Sequence, residues 1–255
     1  MNIAVALRLM PNIGDELEVD DSGADIDRDL VEMVVNEFDE QALEEAVLIK
    51  EATGATVTAI ALEGDGADQA LRVAYARGAD RVVSVDAGEI EPYDTRAVAL
   101  AFAQAVRELS PDLVLTGVQT PYDVFGQTAP YLAAELGWPQ VSVVVRTTMQ
   151  DGAAHVVQEY AGGREAVLAL RLPAVVGVQS ASAPPRYISM ARLRQAMTEA
   201  SAETIAISLE SPPPSRITSL ARPERTAGAT MLEGDASEVA VKIAALLREQ
   251  GALIS

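Results

Sequence analysis

The segment that decides the fold is residues 112–128, DLVLTGVQTPYDVFGQT. Its apolar run, Leu113-Val114-Leu115, is typical of a buried parallel strand, and a helical pattern begins at Gln127-Thr128. The first turn of a helix has unpaired backbone N–H groups and the positive end of the helix dipole. The loop between strand and helix is therefore a candidate phosphate site, with an ordinary strand-to-helix turn as the alternative.

Similar strand and helix patterns alternate through the first two-thirds of the chain. Short apolar runs at residues 3–7, 57–62 and 81–85 alternate with helical patterns at 38–52, 67–77 and 94–109, whereas residues 14–30 are polar and indicate a loop or small hairpin. Such alternation predicts an α/β fold with a doubly wound, mostly parallel sheet. Ligands of such sheets bind outside the carboxyl ends of the strands, so the turns after residues 7, 62 and 115 converge on one crevice.

The pattern changes after Trp138-Pro139. We expect an antiparallel extension of the sheet with strands at 141–148, 154–160 and 166–172, followed by a buried strand at 173–178. A loop with Pro and Arg covers 183–194, and a C-terminal arm covers 211–255. Pro212-Pro213-Pro214 is an extended linker. Asp235 and Glu238 are spaced as a capping box for a helix over 236–250 with one apolar stripe. We therefore expect residues 1–210 to form the α/β domain and the arm to pack on a partner subunit, the alternative being that it packs on its own domain.

Composition excludes several classes of function. The chain has no Cys and one His, which excludes thiol catalysis, cysteine-ligated metals and a multi-histidine site. We predict no catalytic residue and no metal site. A net charge of −19 disfavours nucleic-acid binding. The sequence shows no apolar run of membrane-spanning length and no signal-peptide pattern, so we expect a cytoplasmic protein.

Several short motifs, in order, resemble the β subunit of electron-transfer flavoproteins. They are Asn36-Glu37-Phe38-Asp39 with Leu43-Glu44-Glu45-Ala46, Arg77-Gly78-Ala79-Asp80-Arg81, residues 112–119, Gly137-Trp138-Pro139-Gln140, Leu172-Pro173-Ala174-Val175, Pro185-Arg186-Tyr187 and Arg225-Thr226-Ala227-Gly228. Each motif is weak alone, but together they cover some 220 residues. Residues 229–234 look most like the subgroup that serves trimethylamine dehydrogenase.

The resemblance implies an electron carrier and not an enzyme. In this family the β subunit pairs with an α subunit that holds the redox FAD, while the β subunit holds a structural AMP. The heterodimer passes electrons from a flavoprotein dehydrogenase to a membrane quinone reductase or another acceptor. The flavin supplies the chemistry, and the protein supplies binding and orientation.

By the same resemblance, AMP contacts twelve residues of this chain: Ala6, Asn36, Glu37, Phe38, Asp39, Leu62, Asp123, Val124, Phe125, Gly126, Gln127 and Thr128. An alternative interpretation of Asn36 and Asp39 is helix capping. The loop departs from the family at Tyr122, where Asp is usual. A bifurcating subset of the family binds a second FAD here and oxidises NADH, but Phe125 adds bulk where that subset's loop is small, which favours AMP.

The resemblance also implies two protein contacts. Glu159 matches a family glutamate at the subunit interface near the flavin domain, the alternative being a plain surface carboxylate. Residues 183–195 match the loop that docks the dehydrogenase, with recognition by Pro185, Arg186, Tyr187, Met190, Arg192 and Arg194. Met190 stands at the anchoring position, and its exposed apolar side chain suits a partner's pocket. Alternatively, the arginines only solvate a surface loop.

A different class is an ATP-using enzyme or nucleotide sensor with an α-hydrolase-like fold. Such enzymes bind pyrophosphate with a glycine-rich loop after the first strand. Here that turn is Arg8-Leu9-Met10-Pro11-Asn12, which lacks the glycines that a close backbone approach needs. The electron carrier is the favoured interpretation.

Overall fold

A computed structural model describes residues 1–88, 90–123, 125–209, 217–222 and 228–252. The chain divides into two compact units, Met1–Ser219 and Leu220–Ser255. The domain boundary predicted from the sequence, at 210/211, and the Pro212-Pro213-Pro214 linker lie outside the described residues. That division into domain and arm stays a prediction.

The first unit contains eleven strands, five α-helices and one 3-10 helix (Arg28–Leu30) within its described residues. The strands are β1 (Asn2–Leu7), β2 (Leu9–Pro11), β3 (Met33–Val35), β4 (Thr56–Leu62), β5 (Arg81–Asp86), β6 (Leu113–Gly117), β7 (Gln140–Gln150), β8 (Ala153–Tyr160), β9 (Arg164–Arg171), β10 (Ala174–Val178) and β11 (Glu203–Ala206). The helices are α1 (Glu37–Thr53), α2 (Ala67–Arg77), α3 (Thr95–Leu109), α4 (Thr128–Leu136) and α5 (Met190–Glu199).

Nine strands form one sheet in the order β11-β5-β4-β1-β6-β10-β7-β8-β9. The strands from β11 to β7 pair in parallel, and β8 and β9 extend the sheet in antiparallel fashion. The doubly wound, mostly parallel α/β fold predicted from the sequence is confirmed. From β1 the chain proceeds outward to β4 and β5, and then returns to β6 on the other side. The switch point of the sheet therefore lies between β1 and β6.

Strand β1 shows why the strand patterns do not alternate. Ile3, Val5 and Leu7 belong to the cluster that contains the apolar residues of α1 and α2, while Ala4 and Ala6 pack in the opposite cluster beside Phe102 of α3. Both faces of the strand are buried, so apolar residues are needed at every position. The small side chains of this face share their cluster with the bulky phenyl ring.

Two short strands that the sequence patterns did not predict lie beside the switch point. Strands β2 and β3 pair in antiparallel register, with Leu9 opposite Val35 and Pro11 opposite Met33. The predicted loop or small hairpin at residues 14–30 lies between them, and Val19 and Ile26 form an isolated antiparallel bridge within it. Three-residue strands offer too few positions for a period of two to stand out.

One prediction is wrong. The loop expected over residues 183–194 ends at Ser189, and Met190 begins helix α5. The Ser189 hydroxyl accepts the N–H of Arg192 and caps the helix. Pro184 and Pro185 favoured a loop over the whole segment. Ser189 was therefore not recognised as an N-cap, although serine is a standard residue at a helix start. The edge strand β11, which pairs with β5, was also not predicted.

The second unit contains helix α6 (Ala236–Glu249) within its described residues. The predicted capping box is confirmed: the Asp235 side chain accepts N–H groups of Ser237 and Glu238, and the Glu238 side chain accepts the N–H of Asp235. None of the residues in α6 is buried.

Candidate functional site

Asp39, in the first turn of α1, joins the ends of the two strands at the switch point. Its Oδ2 accepts the N–H of Arg8 at 2.9 Å, just after β1, and its Oδ1 accepts the N–H of Gly117 at 2.6 Å, the last residue of β6. A Cβ atom at position 117 would lie 2.5 Å from Asp39 Oδ1, so only glycine permits this approach. The carboxylate therefore fixes the edge of the crevice.

Asp39 is buried to 1% exposure. Burial raises the pKa of its carboxyl from the ordinary 3.8 to about 6, while the two backbone N–H groups and the Arg8 cation oppose the shift. Its position explains why the capping interpretation is wrong for this residue: the carboxylate serves strand ends and not the N–H groups of its own helix. Asn36 holds the N-cap position of α1 without a side-chain cap bond, and its Nδ2 donates to Gln119 O at 2.9 Å.

The Arg8 side chain brings a buried cation to the same edge. Its guanidinium donates to Thr128 Oγ1 at 2.5 Å and to Pro92 O at 3.3 Å, and lies 3.5 Å from Asp123 Oδ2. Burial lowers the pKa of Arg8 below its usual value, and the carboxylates of Asp39 and Asp123 oppose this. This role of Arg8 was not predicted from the sequence. The available signal was a single charged residue directly after an apolar strand.

Helix α4 begins against a carboxylate of its own loop. Asp123 Oδ2 accepts both the N–H and the hydroxyl of Thr128, each at 2.9 Å, and the Asp123 N–H donates to Thr120 Oγ1 at 3.0 Å. The two Thr128 donors that the sequence predicts for phosphate are therefore directed at Asp123. A phosphate at this helix start has to replace the carboxylate as their acceptor.

Two cavities flank this network. The larger, about 350 Å³, is lined by Met10, Val34 and Val35 of the β2–β3 pair, by Asn36, Glu37 and Phe38, and by residues 119–121. The smaller, about 130 Å³, is lined by Arg8, Leu62 and Phe102 among others. Both cavities lie at the carboxyl edge of the sheet, where the fold predicts a ligand.

The remaining predicted AMP contacts are more scattered. Ala6 is buried inside β1, and Gln127 is exposed. Gly126 has a φ of +64°, and a Cβ there would lie 2.5 Å from Val118 O. Phe125 is 89% exposed, so its side chain is not packed inside the crevice, and the preference for AMP drawn from its bulk stays a prediction. Val124 lies outside the described residues.

Helix α1 also holds the segment that precedes α5, residues 181–189, here called the docking segment. Glu44 accepts the N–H of Arg186 at 3.0 Å and pairs with its guanidinium at 2.9 Å, and Glu51 pairs with the same guanidinium at 2.7 Å. These carboxylates raise the pKa of Arg186. The predicted recognition residue Arg186 is thus engaged within the chain.

Two of the exposed side chains of this region are large and apolar. Tyr187 is 89% exposed and Met190 is 58% exposed. The Arg192 Nε donates to Ala76 O at 2.5 Å, while Arg194 is exposed on α5 and Pro185 is partly buried. Of the predicted recognition residues, Tyr187 and Met190 therefore present the apolar surface.

Glu159 lies near the end of β8, far along the antiparallel extension. Its cross-strand partner in β9 is Glu165, and both residues are exposed. Carboxylates directly opposite one another repel, so this pair is a favourable place for a cation.

The fold and the crevice place the chain in the class of doubly wound α/β proteins whose ligands bind at the switch point. The family model of the electron transfer flavoprotein domain matches residues 25–212. An electron transfer flavoprotein subunit beta from Methylophilus methylotrophus is 32% identical over 261 aligned residues, which cover 98% of both chains. The chain therefore belongs to the electron transfer flavoprotein β-subunit family.

Proteins with the same name from other organisms are similarly related. The one from Dictyostelium discoideum is 31% identical over 80% of this chain and 79% of its own, and the one from Bradyrhizobium diazoefficiens is 32% identical over 80% and 81%. Membership places the chain in electron transport as part of a flavoprotein with an α subunit. Among the described residues, no helix is long and apolar enough to cross a bilayer.

Proposed function

We propose that this chain is the β subunit of a cytoplasmic heterodimeric electron carrier, with a structural AMP in the crevice beside Arg8 and the redox FAD mainly on the α subunit. It carries electrons from a flavoprotein dehydrogenase to a quinone reductase or another acceptor. No substrate bond is made or broken by this chain. The observation that carries the AMP assignment is a buried cation, Arg8, at the switch point of a doubly wound sheet.

The donors at the crevice suit a nucleoside monophosphate. Arg8 would supply charge to the phosphate, and Thr128 would supply an N–H and a hydroxyl if the phosphate takes the place of Asp123. The Asn36 amide would serve the ribose or the base edge. Arg8 lines the smaller cavity, about 130 Å³, and Asn36 lines the larger one, about 350 Å³, so an AMP that meets both residues would reach from one cavity to the other.

Contacts with the α subunit are proposed at two places. The exposed apolar side chains of α6 include Val241, Ile243, Leu246 and Leu247, and a helix with such a face needs another surface to cover it. The Glu159–Glu165 pair would accept a cation from the α subunit. A dehydrogenase would dock on Tyr187 and Met190, whose exposure fits the apolar anchors of transient interfaces.

Nucleotide identification tests the proposal. The chain is co-expressed with an α-type subunit, the complex is purified and denatured, and the released nucleotides are quantified by chromatography. We expect one FAD and one AMP per heterodimer. Two FAD and no AMP would mean the bifurcating type, in which the crevice oxidises NADH. A single nucleotide with no flavin would favour a sensor or an ATP-using enzyme of similar fold.

An Arg8→Met variant of the complex is the matched test of the site. Methionine removes the cation that faces Asp123 and Thr128 but keeps much of the side chain's length. We expect AMP to be lost and FAD to be kept. Retention of AMP at one per heterodimer would show that the nucleotide does not depend on Arg8.

A further inference from the structure

Three side chains on one face of α1 bind the backbone of the docking segment. Gln41 Oε1 accepts the N–H of Ala181 at 3.0 Å, and Glu45 Oε2 accepts the N–H of Ser182 at 2.7 Å. Glu44 Oε2 accepts the N–H of Arg186. Positions 41, 44 and 45 are three and four residues apart, so they lie side by side on the helix surface. We call Glu44 and Glu45 the α1 clamp.

Both glutamates of the clamp are buried, and their carboxylate oxygens accept several hydrogen bonds. Glu44 is 3% exposed and Glu45 is 1% exposed. Glu45 accepts three neutral donors: Ser182 N–H, the Ser182 hydroxyl and the N–H of Thr147 in β7. Burial raises the pKa of Glu45, and the hydrogen bonds from Ser182 and Thr147 oppose this. A buried carboxylate that lacked such donors would be costly, so the clamp and the docking segment depend on each other.

The docking segment has no helical or strand bonding of its own. Residues 181–189 are irregular, and the first regular residue after them is Met190. Their path is therefore set by the bonds to α1 at positions 181, 182 and 186. Beyond the last of these bonds, Tyr187 and Met190 project into solvent.

We infer that Glu44 and Glu45 are positioning residues for dehydrogenase docking, which hold the docking segment in its binding conformation before the partner arrives. This inference rests on the proposed function. Fixing a loop in its bound conformation lowers the entropic cost of association. Neither glutamate of the clamp lines the two cavities at the switch point, so its loss should weaken docking without changing electron transfer in the docked complex.

The test compares Glu44→Gln and Glu45→Gln with Glu40→Gln in the complete heterodimer. Glu40 lies on the same helix and pairs with Arg77 at 2.7 Å, so it controls for the loss of one α1 carboxylate. Ser182→Ala is a milder variant that removes one donor and leaves the buried glutamate with its two N–H partners. Hydrogen exchange of peptides covering residues 181–189 is measured for each complex, together with FAD and AMP content.

The second measurement is the rate of reduction by trimethylamine dehydrogenase and by an acyl-CoA dehydrogenase, each with its own substrate. With the donor that reduces the wild type, we expect KM for the clamp variants to rise about tenfold with kcat unchanged. Exchange in residues 181–189 should be faster, and the Glu40→Gln complex should match the wild type in both measurements.

The results of these measurements distinguish the positioning role of the clamp from the proposed docking of a dehydrogenase. Faster exchange with an unchanged KM would overturn the positioning role, as would unchanged exchange in both clamp variants and in Ser182→Ala. A fall in kcat with an unchanged KM would also overturn it, because the clamp would then act after docking. A wild-type heterodimer with bound FAD that neither dehydrogenase reduces would overturn the proposed docking function itself.

Discussion

Helices α1 and α6 contain similar numbers of residues but use their carboxylates in opposite ways. In α1, Asp39, Glu44 and Glu45 are buried and bond to other parts of the first unit. In α6, Glu238 closes a capping box with Asp235, and no residue of the helix is buried. The first helix organises its surroundings, whereas the second is stabilised by its own termini.

The different placement of carboxylates in α1 and α6 explains the different roles that we propose for the two helices. Buried carboxylates require partners in fixed places, so α1 can hold both the crevice, through Asp39, and the docking segment, through the clamp. A helix with exposed apolar residues and local caps can form before its final partner is present. The predictions below test each half of this contrast.

The largest effect is expected for Asp39→Ala. The substitution leaves the buried N–H groups of Arg8 and Gly117 without their acceptor and removes a negative charge near the Arg8 cation. We expect the free energy of unfolding to fall by about 3–5 kcal/mol, measured by urea denaturation. The control is Glu40→Ala, which breaks a partly exposed pair with Arg77 and should cost about 1 kcal/mol or less. Equal costs would contradict the central role of Asp39.

The pH dependence of Asp39 gives the next largest effect. Its folded pKa, about 6, is above the ordinary 3.8, so the folded state holds this proton more tightly than the unfolded state. The stabilisation that comes from this tighter proton binding is complete below pH 3.8 and is lost as the pH rises through 6. At about 1.4 kcal/mol per pH unit, the loss amounts to roughly 3 kcal/mol.

The measurement is the difference in unfolding free energy between the wild type and Asp39→Asn from pH 4 to pH 7.5. Asparagine does not titrate, so contributions shared by both proteins cancel. We expect the wild type to lose stability relative to the variant as the pH rises. A difference that is flat or rises with pH would mean that the donors at Arg8 and Gly117 outweigh the burial of the carboxyl.

The sequence predicted the fold well because the buried strands are short unbroken apolar runs and the helices have clear stops. Helix α2 was predicted with both of its bounds, and Gly54 ends α1 in the left-handed conformation expected of a cap. Helix α5 was missed because its start depends on one serine after two prolines. Strands β2, β3 and β11, of three or four residues, show too little periodicity to be found.

The candidate site was predicted less completely. The resemblance pointed to Asn36 and Asp39, but whether a polar side chain after a strand caps a helix or binds a neighbouring strand depends on tertiary contacts. Arg8 was missed for the same reason: its partners Asp123 and Thr128 are more than a hundred residues away in the chain. Glu44 and Glu45 were noted only as part of a motif, since burial of a carboxylate has no local pattern.

The smallest expected effect concerns α6. Asp235→Ala removes the acceptor for the N–H groups of Ser237 and Glu238 and opens the capping box. Loss of such a cap costs about 1 kcal/mol of helix stability, so hydrogen exchange in α6 of the free chain should become roughly fivefold faster. Glu249→Gln, at the other end of the same helix, is the control and should change exchange little.

Measuring hydrogen exchange of Asp235→Ala in the heterodimer as well as in the free chain tests whether the α subunit covers α6. If α6 is held by its caps in the free chain and by packing in the heterodimer, Asp235→Ala should speed exchange in the first state and much less in the second, because packing on an apolar face outweighs a single cap. The same acceleration in both states would mean that the α subunit does not cover α6. No acceleration in the free chain would mean that α6 is already packed there, and its contrast with α1 would then be lost.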